Sequence, residues 1–187
     1  MNNIEHLITA MTDSEATRQQ RQAWQPSQVG EINIRIAADG RWYHDEREFK
    51  RQNLVKLFSG LLRLEDNHYF LVTPAEKLRI EVEDCPFVAS LVEIEDYQDQ
   101  SVLIFTLNTG EVVIADDAHP LVVETRGADE QPYPRIKVRD NLYALINRSA
   151  FFDLLMAAKE FSIDGKHYLQ IGSRGNTFNL GCTDETG

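Results

Sequence analysis

The sequence predicts an α+β fold of two domains, in which a strand–helix–strand motif occurs twice and the sheets are antiparallel. A faint internal repeat aligns residues 35–74 with residues 137–173. Several short segments alternate apolar and polar residues, which is the period of a half-buried strand. The predicted helices separate groups of strands and do not follow every strand, which favours α+β over an alternating α/β fold.

The repeat is marked by residues that recur at nearly constant spacing. In each copy an arginine, Arg51 or Arg148, precedes an apolar helix, and a His-Tyr pair opens a strand after an acidic turn. The arginines are 97 positions apart, and the histidines of the two pairs, His68 and His167, are 99 positions apart. Such a duplication predicts two similar halves. Ligands tend to bind at the seam between similar halves, so we expect a binding site there.

Three segments are predicted along the chain. Residues 1–22 form an N-terminal helical arm, and residues 23–84 form an N-terminal α+β domain. The Asp-Cys-Pro sequence that begins at Asp84 reads as a break. Residues 85–187 then form a C-terminal β-rich domain.

The first domain is predicted from two periodicities. Isoleucines alternate with polar residues over 32–36, and Asp39-Gly40 predicts a two-residue hairpin loop after this strand. Leucines and Phe58 recur on one face of a predicted helix over 52–63. The other predicted strands of this domain lie at 41–45, 68–72 and 76–82.

The second domain begins with three strands, and the second copy of the repeat follows them. Asn108-Thr109-Gly110 predicts a short hairpin loop with glycine in the left-handed conformation. Ser149 is expected to cap a helix over 150–160, and Asp164-Gly165 is expected to turn the chain into the next strand. The predicted strands of this domain lie at 87–95, 101–107, 111–116, 167–171 and 176–181.

The charge of the chain excludes several classes of partner. The net charge is −11, and eleven acidic residues without a lysine or arginine lie between Glu81 and Thr125. A chain this acidic repels a phosphate backbone, so we expect neither nucleic acid nor an anionic membrane as partner. Basic residues return in the second copy of the repeat, where a local anion site would draw on them.

The sequence shows no sign of export or of membrane insertion. No apolar run approaches the roughly 18 residues of a membrane span, and the N-terminus lacks the basic start and apolar centre of a signal peptide. The two cysteines, Cys85 and Cys182, belong to no CxxC pair, so neither a disulfide framework nor a zinc site is expected. We therefore predict a cytoplasmic protein without a cofactor.

The chain contains none of the common catalytic motifs. There is no HExxH helix, no GxSxG elbow and no Walker loop, so we assign no catalytic and no metal-binding residue. Asp116, Asp117 and His119 could bind a metal or act as acid and base, or they could form a solvated loop turn. The Gly-Ser-Arg-Gly sequence at 172–175 could form an anion nest or a simple hairpin tip.

Two arginines and one tryptophan each have two interpretations. A cation before a helix N-terminus opposes the helix dipole. Arg51 and Arg148 therefore either pair with carboxylates across the seam or bind an anionic ligand bidentately. Trp42 either packs in the core or stacks on a planar ligand. The polar residues near strand ends that such a site could include are Lys77, Thr106, Asn108 and Arg139.

Several stretches, of which "TPAEKLRIEVEDCPF" is the most specific and "VRDNLYALINR" the next, resemble a bacterial family of unknown function. The likeness runs from Trp24 to Gly181, although "HDEREF" replaces the family's usual glycine after the first hairpin. The resemblance implies two domains with duplicated motifs, the second like a pleckstrin-homology domain, and a ligand cleft between them. The cleft residues that it implies are Trp42, His44, Arg51, Lys77, Phe87, Thr106, Asn108, His119, Arg139 and Arg148.

These observations favour a binding module over an enzyme. The first hypothesis is a signal-transduction module that binds a small, planar, anionic or nucleotide-like ligand between its halves. The second is a small hydrolase or transferase that uses Asp117 and His119. The third is an adaptor that binds a protein partner, and an exposed apolar patch outside the cleft would favour it.

Overall fold

The computed structural model describes residues 18–97 and 100–182. The chain divides into two compact units, Met1–Asp84 (unit 1) and Cys85–Gly187 (unit 2). The predicted N-terminal arm falls largely on residues 1–17, which lie outside the described residues. None of the helices in the described residues is both long enough and apolar enough to cross a membrane.

The described strands of unit 1 form one six-stranded mixed sheet with the order β3-β2-β1-β6-β5-β4. The central strands β1 and β6 run parallel, and the other neighbours are antiparallel. The elements of unit 1 are α1 (Arg18–Gln22), β1 (Gln28–Ile36), β2 (Trp42–His44), β3 (Arg47–Glu48), α2 (Gln52–Ser59), β4 (Leu62–Glu65), β5 (His68–Val72) and β6 (Glu76–Val82).

The core of unit 1 lies on one face of this sheet. Ile32, Ile34 and Ile36 of β1 are buried, and the residues between them are not, as the alternation predicts. Phe58 of α2 is fully buried and stacks on Trp42 of β2, with 6.5 Å between the ring centroids. Burial of these apolar faces is the main force that holds helix and sheet together.

Helix α2 is shorter than the predicted 52–63 and ends at Ser59. Gly60 follows, and its backbone N–H bonds the carbonyls of Lys56 and Leu57 at the end of the helix. Glycine is a poor helix former, and Leu62 already pairs with Leu71 in the strand ladder. The buried residues Leu61 and Leu62 therefore continue the core from a turn and from the start of β4, and not from the helix.

The Asp39-Gly40 hairpin also differs in detail from its prediction. Gly40 N–H bonds the carbonyl of Ala37, and Ala37 N–H bonds the carbonyl of Arg41, which makes a three-residue loop. Gly40 has a φ of 83°, the left-handed conformation that glycine adopts without strain.

The described strands of unit 2 form two sheets with the orders β10-β11-β12-β7-β8-β9 and β13-β14-β15. Strands β12 and β7 run parallel, and the other neighbours are antiparallel. The elements are β7 (Phe87–Tyr97), β8 (Gln100–Leu107), β9 (Val112–Ile114), β10 (Leu121–Arg126), β11 (Gln131–Arg139), β12 (Leu142–Ile146), α3 (Arg148–Ala157), β13 (Lys159–Ile163), β14 (Lys166–Ser173) and β15 (Asn176–Cys182).

Helix α3 begins two residues earlier than predicted. Its N-cap is Asn147 and not Ser149, since the Asn147 side chain accepts a hydrogen bond from Ala150 N–H at 2.8 Å. The amide of Asn147 also donates to the carbonyl of Ser90, which fixes the start of the helix against β7. An asparagine caps a helix as well as a serine does, and this second contact favours position 147.

The two sheets of unit 2 are joined at the tip of the β14–β15 hairpin. Ser173 is 1% exposed, and its hydroxyl donates to the carbonyl of Ala115 at 2.7 Å. The same hydroxyl accepts a hydrogen bond from Leu103 N–H at 3.0 Å. One buried serine thus links the smaller sheet to the larger one.

The repeated element order is present in both units. A hairpin (β1–β2 or β11–β12) is followed by a helix and by three antiparallel strands, β4–β6 or β13–β15. In unit 1 the last strand joins β1, whereas in unit 2 the three strands form their own sheet. The protein is therefore sheet-rich with mixed sheets, which corrects the expectation of a clear α+β fold with antiparallel sheets. The likeness to a pleckstrin-homology domain stays a prediction.

Candidate functional site

The aromatic residues predicted for the site in unit 1 lie in a ring cluster. Trp42 is 1% exposed and contacts Phe58, whose ring is met edge-on by Phe49 at 5.7 Å. His44 stacks on Phe49 at 6.3 Å, and its Nε2 lies 3.4 Å from a carboxylate oxygen of Asp45. The indole N–H of Trp42 is buried without a hydrogen-bond partner among the described residues. Both residues thus contribute to packing within the unit.

The two predicted cations of unit 1 differ in their surroundings. Lys77 forms an ion pair with Glu65, and its ammonium lies 4.8 Å from the ring centroid of Phe70. The pKa of Glu65 is lowered, chiefly by the hydrogen bond from Lys77. Arg51 is exposed at the N-cap of α2, where its side chain makes no capping hydrogen bond. Within the described residues, Lys77 is therefore engaged locally, while Arg51 projects a cation to the surface.

Four predicted residues of unit 2 lie at one end of its larger sheet. Arg139 is 8% exposed, bonds Glu111 at 2.9 Å, and lies 5.0 Å from the ring centroid of the fully buried Phe87. Asn108 accepts a hydrogen bond from Val88 N–H at 3.0 Å. The carbonyl of the fourth residue, Thr106, accepts a hydrogen bond from a serine of β7. These contacts join β7, β8 and β11 and hold most of the polar groups within the unit.

His119 pairs with Asp116 and not with the predicted Asp117, which is exposed. One carboxylate oxygen of Asp116 accepts from His119 Nδ1, from His119 N–H and from Ala118 N–H, each at 3.0 Å. Its other oxygen lies 3.4 Å from Nη1 of Arg174. The structure thus brings together the two loop motifs, residues 116–119 and 172–175, that the sequence analysis treated separately.

The pKa of the Asp116 carboxyl is lowered from its usual value, so the group stays ionised well below neutral pH. Burial alone would raise the pKa of its carboxyl, but the hydrogen bonds from His119 and Ala118 lower it further than burial raises it. A carboxylate that accepts this many hydrogen bonds from its own loop is typical of a turn anchor.

One cluster of cationic and aromatic groups was not predicted from the sequence. It lies on β10, β11 and β12 of unit 2. The guanidinium of Arg135 lies 4.8 Å from the ring centroid of Tyr133 and 5.2 Å from that of Tyr143. Arg126 lies 4.7 Å from the same Tyr133 ring. We call these four residues, with Lys137, the tyrosine–arginine face.

Strand geometry explains how the tyrosine–arginine face forms. Tyr133, Arg135 and Lys137 alternate along β11 with buried residues, so their side chains share one face of the sheet. Lys137 is paired in register with Tyr143 of β12. In the sequence, the alternation in "YPRIK" indicates that Tyr133, Arg135 and Lys137 share a face. It gives no indication of Tyr143, which comes beside them only because β12 pairs with β11.

On the tyrosine–arginine face, Arg135 uses only part of its hydrogen-bonding capacity within the described residues. Nη2 of Arg135 donates to Glu124 at 2.6 Å, while its Nε is buried and lacks a partner among the described residues. Lys137 forms no ion pair within the part of the chain that the structure describes. An arginine between aromatic rings can bind carboxylate or phosphate groups and stack on a planar ring.

No metal centre is formed by the described residues, since no three His, Cys, Asp or Glu side chains group together there. Arg148, the first residue of α3, is exposed without an ion pair in the described part of the chain. The roles of Arg51 and Arg148 in anion binding, and a site at the seam between the halves, stay predictions.

Comparison with known proteins identifies both parts of the chain. The family model described as "Domain of unknown function (DUF1285), N-terminal domain" matches residues 21–85, and the model described as "Protein of unknown function (DUF1285), C-terminal domain" matches residues 86–180. A search of curated proteins finds no match.

Two crystal structures are similar to this chain. That of a DUF1285 family protein from Silicibacter pomeroyi DSS-3 is 33% identical in sequence, covers 96% of each chain and has a TM-score of 0.82. That of a DUF1285 family protein from Shewanella baltica OS155 is 25% identical, covers 65% of this chain and 89% of its own, and has a TM-score of 0.49. The resemblance to a bacterial family of unknown function is confirmed, and the chain belongs to the DUF1285 family.

Proposed function

We propose that this protein is a binding module that recognises a small, planar, anionic ligand of nucleotide type and acts in signal transduction. The observation that carries the proposal is the layering of Arg135 between Tyr133 and Tyr143 on the tyrosine–arginine face. On a chain of net charge −11, such a local group of cations is a selective feature, because the chain as a whole carries excess negative charge.

The chemistry of this face matches both the planar ring and the anionic group of such a ligand. The ring of Tyr143, over which one guanidinium lies, offers a face on which a planar ring stacks. The remaining donors of Arg135 and the ammonium of Lys137 suit carboxylate or phosphate oxygens through charge-assisted hydrogen bonds. The proposal moves the stacking role from Trp42 and Phe87, which are buried, to the half-buried tyrosines.

Binding is favoured over catalysis by the surroundings of His119. Its Asp116 partner is held by three hydrogen bonds from the same loop and by Arg174. This arrangement supports the role of a loop anchor, so the hydrolase or transferase alternative with Asp117 is not the function that we propose.

Thermal-shift measurements with a panel of nucleotides and related anions test the proposal. A ligand at 100 times its Kd adds about 2.7 kcal/mol of stability, which for a chain of this size raises Tm by roughly 5–10 °C. Arg135→Met should weaken binding about 10- to 100-fold, since it removes charge-assisted hydrogen bonds. Tyr143→Leu should weaken it about fivefold through loss of stacking.

The matched control is Arg41→Ala in unit 1. Arg41 is also an exposed arginine beside a tyrosine, 5.9 Å from the ring centroid of Tyr43, so its loss tests for a general charge effect. Arg41→Ala should keep the full ligand-induced shift. Absence of any shift across the panel, or a full shift in both Arg135→Met and Tyr143→Leu, would refute the proposal.

A second function, an adaptor for a protein partner, is supported by one apolar ridge. Phe152 and Met156 lie one turn apart on α3 and are 59% and 71% exposed. Exposed apolar side chains at this spacing are typical of a docking ridge. A photo-crosslinking residue at position 152 should capture one discrete partner, and Met156→Ser should abolish the capture. If a photo-crosslinking residue at the exposed position of Asp153 captured the partner equally well, this result would contradict specific docking.

A further inference from the structure

Strand β13 is an edge strand of the smaller sheet of unit 2. It pairs with β14, and the described residues place no strand on its other side. Residues 159–162 are exposed, and Phe161, at the middle of the strand, is 50% exposed. An edge strand of this kind presents unpaired backbone groups to any strand that can pair with it.

The loop after β13 shows which backbone groups of the strand point outwards. Asp164 and Gly165 have φ angles of 51° and 80°, and Ile163 pairs with Lys166 across them. A two-residue hairpin loop with positive φ at both positions is closed by a hydrogen-bonded pair, which is here Ile163 and Lys166. Because hydrogen-bonded and non-hydrogen-bonded pairs alternate along an antiparallel ladder, residues 159, 161 and 163 bond β14. Residues 160 and 162 direct their backbone groups to the open edge.

The outward groups are the N–H and C=O of Glu160 and of Ser162. None of them has a hydrogen-bond partner among residues 18–97 and 100–182. A backbone donor or acceptor without a partner in its own chain bonds water or another molecule. The N–H and C=O of one residue point the same way, so an added antiparallel strand would bond each of these residues twice. The edge is therefore a template for a further strand.

The side-chain charges select the register of a second β13 strand on this edge. With Glu160 opposite the partner's Ser162, and Ser162 opposite the partner's Glu160, every outward N–H and C=O is paired. A shift by two residues in one direction places Glu160 opposite its own copy, and the opposite shift places it opposite the partner's Asp164. Either shift brings two carboxylates face to face, which destabilises a strand pair. The register centred on Phe161 avoids both.

We propose that two copies of this chain pair through β13, antiparallel and with the two Phe161 residues opposite each other. The two three-stranded sheets then form one continuous sheet across a twofold axis. The Phe161 pair lies at a non-hydrogen-bonded position, where opposite Cα atoms are about 4.5 Å apart and aromatic side chains stabilise the pairing. A depression of about 530 Å³ beside Phe161, lined also by Ile94, Ala157 and Gly172, has room for the partner's ring.

A second copy fits this edge better than an unrelated strand does, because β13 is complementary to itself. Its backbone groups and its charges match in the same register. Each copy has a net charge of −11, which opposes association and makes it reversible and dependent on salt. None of the residues of the tyrosine–arginine face or of the apolar ridge on α3 belongs to β13. The dimer can therefore be tested separately from both proposed functions.

Sedimentation velocity of the full chain, from about 1 µM to about 1 mM, tests the proposal in about 0.3 M salt, which screens the net charge. We expect a reversible dimer with a Kd of roughly 10–100 µM, as for a small interface. Ser162→Pro removes an outward N–H from each copy and keeps the β13–β14 ladder, because that ladder does not use this N–H. It should raise the Kd at least about 30-fold. Ser162→Ala keeps the N–H, so it is the matched control and should dimerise as the parent does.

A charge exchange at position 161 tests the register. Phe161→Lys and Phe161→Glu should each raise the Kd at least about tenfold, because like charges lie opposite each other, whereas an equimolar mixture of the two should dimerise. The position is exposed, so both variants should keep the circular dichroism spectrum of the parent. The proposal is overturned if the parent stays monomeric up to about 1 mM, which would leave the edge to a strand of another protein. It is also overturned if Ser162→Pro dimerises as tightly as Ser162→Ala, or if the mixture associates no better than either variant alone.

Discussion

Removal of one buried hydroxyl should weaken unit 2 more than most single substitutions do. In Ser173→Ala the carbonyl of Ala115 loses a donor at 2.7 Å, and Leu103 N–H loses its acceptor at 3.0 Å. Leu103 and Ala115 are both 0% exposed, so bulk water does not replace the hydroxyl. The β14–β15 hairpin keeps the backbone bond from Arg174 N–H to the carbonyl of Ser101.

The magnitude follows from the two groups left without partners. A buried polar group deprived of its hydrogen bond costs about 1–3 kcal/mol, so with two such groups Ser173→Ala should lower the free energy of unfolding of unit 2 by about 2–6 kcal/mol. That is a factor of roughly 30 to 20,000 in the unfolding equilibrium. A serine that bonds one backbone group at the surface lacks this cost, since water takes the place of the lost hydroxyl.

Urea denaturation followed by far-UV circular dichroism, with hydrogen exchange at the Leu103 amide, measures the effect. Tryptophan fluorescence is unsuitable, because both tryptophans, Trp24 and Trp42, lie in unit 1. The matched control is Ser90→Ala, an exposed serine whose hydroxyl donates to one backbone carbonyl. It should change stability by no more than about 0.5 kcal/mol. A Ser173→Ala loss as small as that of the control would refute the reasoning.

Two further changes test the local structure of unit 2. Asn147→Ala should cost about 1–2 kcal/mol because α3 loses its cap, whereas Ser149→Ala should cost about 0.5 kcal/mol or less, and urea denaturation distinguishes them. The lowered pKa of Asp116 means that its ionised form stabilises the fold above the unfolded-chain pKa, near 4, and that this stability is lost as pH falls through the lower folded-state pKa. Asp116→Asn should therefore flatten the loss of stability below about pH 5, and an unchanged acid limb would contradict this assignment.

Much of the strand content could be predicted because it depends on local pattern. The strands at 68–72 and 76–82 agree with the structure to the residue, since alternation and flanking turn residues bound them on both sides. The end of α2 could not be predicted in this way. Its apolar period continues through Leu61 and Leu62, and only the pairing of Leu62 with Leu71 shows that the chain is already a strand there.

The candidate sites depend on side-chain contacts that the sequence alone does not specify. His119 has two aspartates within three residues, and the sequence does not show which of them it contacts. The fold pairs it with Asp116, because the turn directs that carboxylate inwards and leaves Asp117 exposed. Arg135 meets Tyr143 only because β11 and β12 are neighbours in the sheet. The register shift between β1 and β6 involves strands about 45 residues apart, and neither strand shows a sign of it by itself.

By itself, the sequence determined the duplication, the strand-rich order of elements and the excess of acidic residues. The repeat is present in the structure, where Arg51 is the N-cap of α2 and Arg148 is the first residue of α3, so Arg148 lies in its helix and not before it as predicted. The tertiary structure decided how the copies differ, since the last three strands extend the sheet in unit 1 and form a separate one in unit 2. The physical reason is that periodicity specifies which face of an element is buried, whereas strand pairing, and with it the position of each polar side chain, depends on partners distant in sequence.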